Sequence, residues 1–290
     1  MELDIALIGG QFIAGIERGM IYFLLATGLT LILGVLGIIN FAHGTFYMVA
    51  MFLVVTLTRF VDYWLAFLFI PVIIALIGGV VEVLLLRRIY GVDPLLQILL
   101  TFALVYIASD VVRLIWGPWP LLVTTPSILE GSVNLGTITV PVSYAFMVAV
   151  GAGAGVGLWA LLHKTKLGTI IRACSIDREM ASALGLNVKI LFTLVFMLGI
   201  WLAGVAAVAA APSVSAELGM DMNMIVMCFA VVVIGGMGSI GGALIGALAI
   251  GLVESFGMLV FPRLIIALAF ALMAVFLVVR PWGLLGKPTE

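Results

Sequence analysis

The side chains able to do chemistry inside the apolar runs of this sequence are few, and they gather at two glycine-rich interruptions. The first is Gly34-Val-Leu-Gly37-Ile-Ile-Asn40-Phe-Ala-His43-Gly44, and the second is Gly235-Gly236-Met-Gly238-Ser239-Ile-Gly241-Gly242, followed by Gly246 and Gly251. Glycine allows positive φ and close backbone approach, and transporters use discontinuous helices to offer free amides and carbonyls to a solute. The chemistry on offer is recognition by hydrogen bonding, not bond making. The plainer reading makes both stretches tight turns, with Gly242 and Gly246 as helix-packing contacts; for the glycine run it is the stronger one. For Asn40 and His43 the balance tips toward a pathway, because polar groups beside a break in an apolar segment tend to mark function.

Other chemistries find little support. The sequence has no phosphate-cradling G-x-x-x-x-G-K-[ST] loop, no Cys/His cluster for a metal, and no Ser/His/Asp set or acidic pair in a general acid–base setting. The other histidine, His163, stands at a helix end, and Cys174 and Cys228 form no motif. No cofactor, metal or enzymatic activity of the chain itself is expected. Asp110 and Arg113, three apart on one helix face, can pair; Glu82 stands near Arg87 and Arg88, and Glu254 reads as isolated, close to the outer interface.

The elements that must position these residues are membrane helices. Of 290 residues, 65% are hydrophobic and 9% charged, with a mean hydropathy of +1.38, against roughly 25% charged in a soluble domain. The net charge of −1 carries no nucleic-acid signature. Apolar segments run approximately over Gly19–Ile39, Ala42–Thr58, Trp64–Leu86, Leu95–Trp116, Val140–Leu162, Ile190–Ala211, Met222–Gly235, Ala243–Leu259 and Leu264–Val279. These lengths exclude barrel strands, which are about 10 residues of alternating character, and approach the roughly 20 of a spanning helix. The expected fold is an all-α polytopic membrane protein of about eight or nine helices, some broken or re-entrant. Residues 5–16 read as a short helix at the interface, closed by Glu17 and Arg18; Glu2 and Asp4 argue against a cleaved signal peptide.

Basic residues orient the chain. Arg87 and Arg88, then Lys164, Lys166, Arg172, Arg178 and Lys189, then Arg280 and Lys287 fall on one face by alternation, which makes that face and the C-terminus cytoplasmic; Gly117–Thr139 on the other face has no lysine or arginine, and the loop with Glu217 and Asp221 lies there too. The chain reads as one transmembrane domain, 1–290, with a cytoplasmic loop at 163–189 and an outer loop at 117–139. Within the cytoplasmic loop, Ser175 to Leu184 reads as a short helix: Ser175 as N-cap, Asp177 and Glu179 in the first turn, Met180, Ala183 and Leu184 as an apolar face, Gly185 as the stop. Alanine, methionine and mixed charge suit a groove on a partner protein better than a lipid surface.

The stretches GLTLILGVLGIINFAHGTFYMVAMF, RACSIDREMASALGLNV, VIGGMGSIGGALIGALAIGLVE and RPWGLLGKP resemble the LivH-type permease family, the membrane subunit of branched-chain amino-acid ABC importers. The resemblance runs along nearly the whole chain and is weakest at about 1–16 and 117–140; relatives carry urea, amides or aromatic carboxylates, which remain alternative solutes. It implies a permease in a bacterial inner membrane, paired with a second, related permease, two cytoplasmic ATPases that use the ATP, and a periplasmic solute-binding protein, all in membrane lipid. Asn40, His43, Gly44, Gly235, Gly236, Gly238, Ser239, Gly241 and Gly242 would then belong to the pathway or its gate. Arg172, Ser175, Asp177, Arg178, Glu179, Met180, Ala183, Leu184 and Gly185 would couple it to an ATPase. Glu17 and Arg18 depart from the smaller residues usual there and bear on the gate. A stand-alone secondary transporter of the drug/metabolite type and a scaffold without a pathway are the competing classes.

Overall fold

A computed structural model describes residues 5–136 and 138–286; Glu2, Asp4 and Lys287 lie outside the described residues. In chain order the helices are α1 (Ile5–Leu36), α2 (His43–Leu57), α3 (Tyr63–Leu84), α4 (Pro94–Trp116), α5 (Val142–Lys164), α6 (Lys166–Ile176), α7 (Arg178–Ala183), α8 (Val188–Ala210), α9 (Met220–Gly235), α10 (Ile240–Val260) and α11 (Ile265–Val279), with an antiparallel hairpin, β1 (Ser132–Leu135) and β2 (Ile138–Pro141), ahead of α5. Seven of these helices are long and apolar enough to cross a bilayer, the last counted with its leading turn, while α2 and α9 are shorter apolar helices.

Local chemistry sets several of the starts. Asp62 accepts from Trp64 N at 2.9 Å to open α3, and Asp93 accepts from Leu95 N at 2.8 Å, with Pro94 first in α4. In lipid the hydrophobic effect gives helices no reason to associate, so close packing through small residues does the work. Gly15 and Gly19 of α1 face Ala247 and Gly251 of α10, where a Cβ on Gly251 would lie 2.7 Å from Gly19 Cα. Gly28 of α1 crosses Gly199 of α8, and Gly204 of α8 lies against Pro71 of α3. These crossings put α1 and α8 at the centre; α4, α5 and α11 are largely peripheral.

Three expectations change. Residues 5–16 form no separate interfacial helix: they begin α1, whose 32 residues reach about 48 Å. Glu17 and Arg18 do not end it, because Glu17 is buried and Arg18 pairs with Glu254 of α10, which also accepts from the Tyr22 hydroxyl. Glu254 is therefore not isolated. Asp110 and Arg113 are both exposed and make no ion pair; among the described residues the pairs are Arg18–Glu254 and Arg87–Glu82.

The Arg87–Glu82 pair ties the end of α3 to the start of α8. Glu82 accepts from Arg87 at 3.1 Å, from Thr193 Oγ1 at 2.7 Å and from Tyr90 Oη at 2.6 Å. Burial, and then that bond to Glu82, holds the Tyr90 hydroxyl protonated well above the usual phenol range.

The Gly28–Gly199 crossing predicts that Gly28→Ala, whose methyl group would lie 2.5 Å from the Gly199 carbonyl oxygen, lowers stability by about 1–3 kcal/mol. Thermal unfolding of the purified protein checks this, with Gly153→Ala, inside α5 where an added Cβ meets nothing within 4 Å and alanine is the better helix former, holding or raising the midpoint.

Candidate translocation seam and coupling helix

α1 ends at Leu36, and Gly37 takes φ 69°, sending its N–H back to Leu33 O at 3.0 Å. The chain then runs through Ile38, Ile39 and Asn40 without helical structure before α2 begins at His43. The first turn of α2 is pinned to the middle of α1: His43 Nε2 donates to Leu25 O at 3.0 Å, and a carbonyl accepts only, so this nitrogen carries the proton. Leu25 lies eleven residues before Leu36, about 16 Å along the axis. The segment after Gly37 therefore climbs back beside α1, and α2 starts at membrane depth. Its 15 residues reach about 22 Å, short of the roughly 30 Å hydrocarbon core.

Polar groups stand unpaired in this seam. Asn40 is 0% exposed, and neither its Oδ1 nor its Nδ2 has a partner; the same holds for His43 Nδ1, Tyr47 Oη, Thr27 Oγ1, Thr30 Oγ1 and Glu17 Oε1. Gly44 brings α2 hard against α9, where a Cβ would fall 3.1 Å from Ile225 Cβ. Asp221, expected in an outer loop, is instead buried in the first turn of α9 and accepts from Ser109 Oγ of α4 at 3.2 Å and from Thr45 Oγ1 of α2 at 3.4 Å. Two short helices, of 15 and 16 residues, thus start side by side and run in opposite directions.

The second interruption is a packed turn. Gly236 and Gly238 take φ 94° and 82°, and Ser239 opens α10 by accepting from Gly242 N at 3.0 Å. Gly235 and Gly242 touch backbone to backbone, and the segment after α11 folds over them, Leu284 N donating to Ile234 O at 2.8 Å and Leu285 N to Gly235 O at 3.1 Å. Gly235, Gly236 and Gly242 are buried, while Gly238 and Gly241 face outward. Gly238 lies against Gly34, where a Cβ would stand 3.4 Å from its Cα, so both interruptions meet at the end of α1.

The loop at 163–189 departs from its expected form. Ser175 lies in the last turn of α6, bonded to Arg172 O at 2.8 Å, and Asp177 is the N-cap of α7, accepting from Met180 N at 2.9 Å. That local bond competes with helix continuation and splits the expected helix in two. Gly185 stops α7 with φ 85°, as expected. Met180 and Leu184 are 59% and 76% exposed, so the apolar side of α7 is uncovered, and Ile176 at the end of α6 is 87% exposed beside it. Beside it lies a shallow cleft of about 610 Å³ that includes Arg178, Glu179, Ser182 and Gly185. Arg172 reaches back to the Leu162 carbonyl, anchoring α6 to α5. Arg178 points the other way: Nη2 donates to Leu36 O at 3.4 Å, its guanidinium sits over the Phe192 ring at 5.6 Å, and a Cβ on Gly37 would lie 2.9 Å from it. A cation at a helix C-terminus is favourable, and this one joins α7 to the break that leads into α2.

The predicted residues thus fall into three groups: the buried set Asn40–His43–Gly44, the packed turn Gly235–Gly242, and the surface helices α6 and α7, with Arg178 bridging the last to the first. Sequence reasoning gave no site role to Asp221, Thr45 or Ser109. Asp221 beside an apolar segment was the available signal, obscured by the loop boundary drawn at Met222.

The fold and seam define a multi-pass α-helical membrane protein with discontinuous helices of the transporter kind. The chain belongs to the family described as branched-chain amino acid transport system / permease component, whose model matches residues 11–279. It is similar to the high-affinity branched-chain amino acid transport system permease protein BraD of Pseudomonas aeruginosa, with 30% identity covering 96% of this chain and 95% of that one. The corresponding LivH protein of Escherichia coli K12 is 29% identical over the same shares. A probable LivH of Methanocaldococcus jannaschii is 26% identical, covering 91% of this chain and 88% of that one. No solved structure matches the chain. Membership makes it a permease component of a transport system, neither an enzyme nor a stand-alone carrier.

Asn40 separates a pathway role from a scaffold role. Removing an unpaired buried amide relieves a cost of about 1–3 kcal/mol, so Asn40→Ala is expected to keep or raise the thermal midpoint while uptake by the assembled system falls. A lower midpoint with unchanged uptake would make Asn40 structural.

Proposed function

We propose that this chain forms one half of the translocation pathway of an ABC importer for branched-chain amino acids, in a bacterial inner membrane with its C-terminus in the cytoplasm. The named substrates of BraD and LivH support the solute class. The basic residues on the α6–α7 face support the orientation. A second, related permease completes the pathway, two ATPases bind the α7 face, and a solute-binding protein meets the face carrying 117–139. The chain binds no cofactor; ATP is bound and hydrolysed by the ATPases.

The observation that carries this reading is the Arg178 bridge from α7 to Leu36 and Gly37. Ile176, Met180 and Leu184 enter a groove on an ATPase, with Glu179, Ala183 and Gly185 along the contact and Arg172 and Asp177 setting the pose of α6 and α7. When the ATPases close on ATP, α7 shifts and Arg178 carries the end of α1 with it. Gly37, already in a conformation that side chains avoid, takes up the rotation, and the Asn40–Gly44 segment moves relative to α1 and α9. The Gly235–Gly242 turn, with Ser239, serves as the fixed bearing against Gly34.

The test is isolation of the tagged chain from its own membrane in mild detergent, with mass spectrometry of what accompanies it. Two ATPases and a sister permease are expected; a chain recovered alone would contradict the reading. In the recovered complex, Arg178→Glu with Glu179→Lys is expected to cut uptake by about tenfold or more, the equivalent of roughly 1.4 kcal/mol of lost coupling, with folding retained. Normal solute-stimulated ATP hydrolysis and uptake in that variant would count against a coupling role.

A further inference from the structure

Asp221 is a carboxylate at membrane depth that the coupling scheme leaves unused. It is 2% exposed, with Oδ2 engaged by the Ser109 and Thr45 hydroxyls. No lysine or arginine pairs with it among the described residues, and His43 commits its proton-bearing nitrogen to Leu25 O. Two hydroxyls and the positive end of its own helix ease the charge without neutralising it, and an ionised group inside a membrane without a counter-charge is costly.

Asn40, three residues before His43, has the complementary need. Both ends of its amide are buried and unpartnered, and the first turn of α2 has no side-chain cap. An uncapped helix start with a free amide beside it suits an anion. Anion-seeking and cation-seeking groups therefore flank one helix start. Next to Asn40 in the chain, Phe41 packs against Phe102 of α4 at 4.6 Å and Phe229 of α9 at 4.8 Å, an apolar wall made of the same elements.

We infer that the start of α2 is the point where the permease holds its solute in transit. Asp221, set by Thr45 and Ser109, takes the ammonium group of an α-amino acid. Asn40, with the Gly44 and Thr45 amides in the first turn of α2, takes its carboxylate, His43 N already donating to Asn40 O, and the phenylalanine wall takes an apolar side chain. The groups are buried in this structure and become available when α2 and α9 part. This assignment rests on the amino-acid importer reading above and extends it to named recognition groups.

Asp221→Asn isolates the charge, because an amide oxygen still accepts from both hydroxyls. The complete complex is placed in proteoliposomes with its binding protein, and ATP-driven leucine uptake is measured beside the ATPase stimulation produced by liganded binding protein. Uptake is expected to fall about tenfold or more while stimulation stays within about twofold, and Asp221→Glu recovers part of the uptake. Ser109→Ala, which removes one hydroxyl at a partly exposed position, gives the same split at smaller size and serves if Asp221→Asn does not assemble. Uptake unchanged in these variants, or uptake and stimulation falling in parallel, would overturn the assignment. An unaltered complex that moves no leucine would overturn the importer reading itself, and this assignment with it.

Discussion

Lipid offers no hydrogen bonds, so a helix that stops within a membrane protein must have its loose carbonyls and amides met by the protein itself. The C-terminal end of α1 is where this chain meets that constraint. Gly37 turns its N–H back to Leu33, Arg178 reaches the Leu36 carbonyl, and His43 fastens the returning chain to Leu25. Those bonds fix where the short α2 starts and tie a surface helix to the interior, and the Gly235–Gly242 turn packs against Gly34 at the same end of α1. Loss of the Arg178 contact alone would leave the end of α1 free to move relative to α7.

The interior achieves less complete satisfaction than the end of α1. Asn40, Thr27, Thr30, Tyr47 and Glu17 keep buried polar atoms without partners, although buried polar groups are nearly always paired. They lie on α1, on the segment climbing beside it and on α2, while the α1–α10 and α1–α8 crossings are close-packed through glycine. Close-packed crossings and unpaired polar atoms along α1 and α2 are the features on which the proposed pathway draws.

Much of this was legible in the amino-acid sequence. The apolar segments correspond to the observed helices because a spanning helix needs a long uninterrupted run, and two interruptions at Gly37 and Gly236 are true backbone breaks. The Gly235–Gly242 stretch forms a close-packed turn, as its small residues suggest. What sequence could not show was pairing across distance. Arg18 looked like a helix stop because its partner Glu254 lies 236 residues away. Asp221 looked like a loop residue because the hydroxyls that receive it belong to α2 and α4. The split between α6 and α7 was missed because Ser175 and Asp177 are both capable caps, and only the Asp177–Met180 bond decides between them.

The central claim is that motion of α7 is transmitted through Arg178 to the seam beside α2. The direct measurement is the reactivity of a cysteine introduced by Asn40→Cys toward a water-soluble maleimide, with Cys174 and Cys228 replaced, in the assembled complex with and without nucleotide. The account predicts that the cysteine is unreactive in one nucleotide state and reactive in the other, and that Arg178→Ala abolishes the difference. Equal reactivity in both states, or a difference that persists without Arg178, would contradict it.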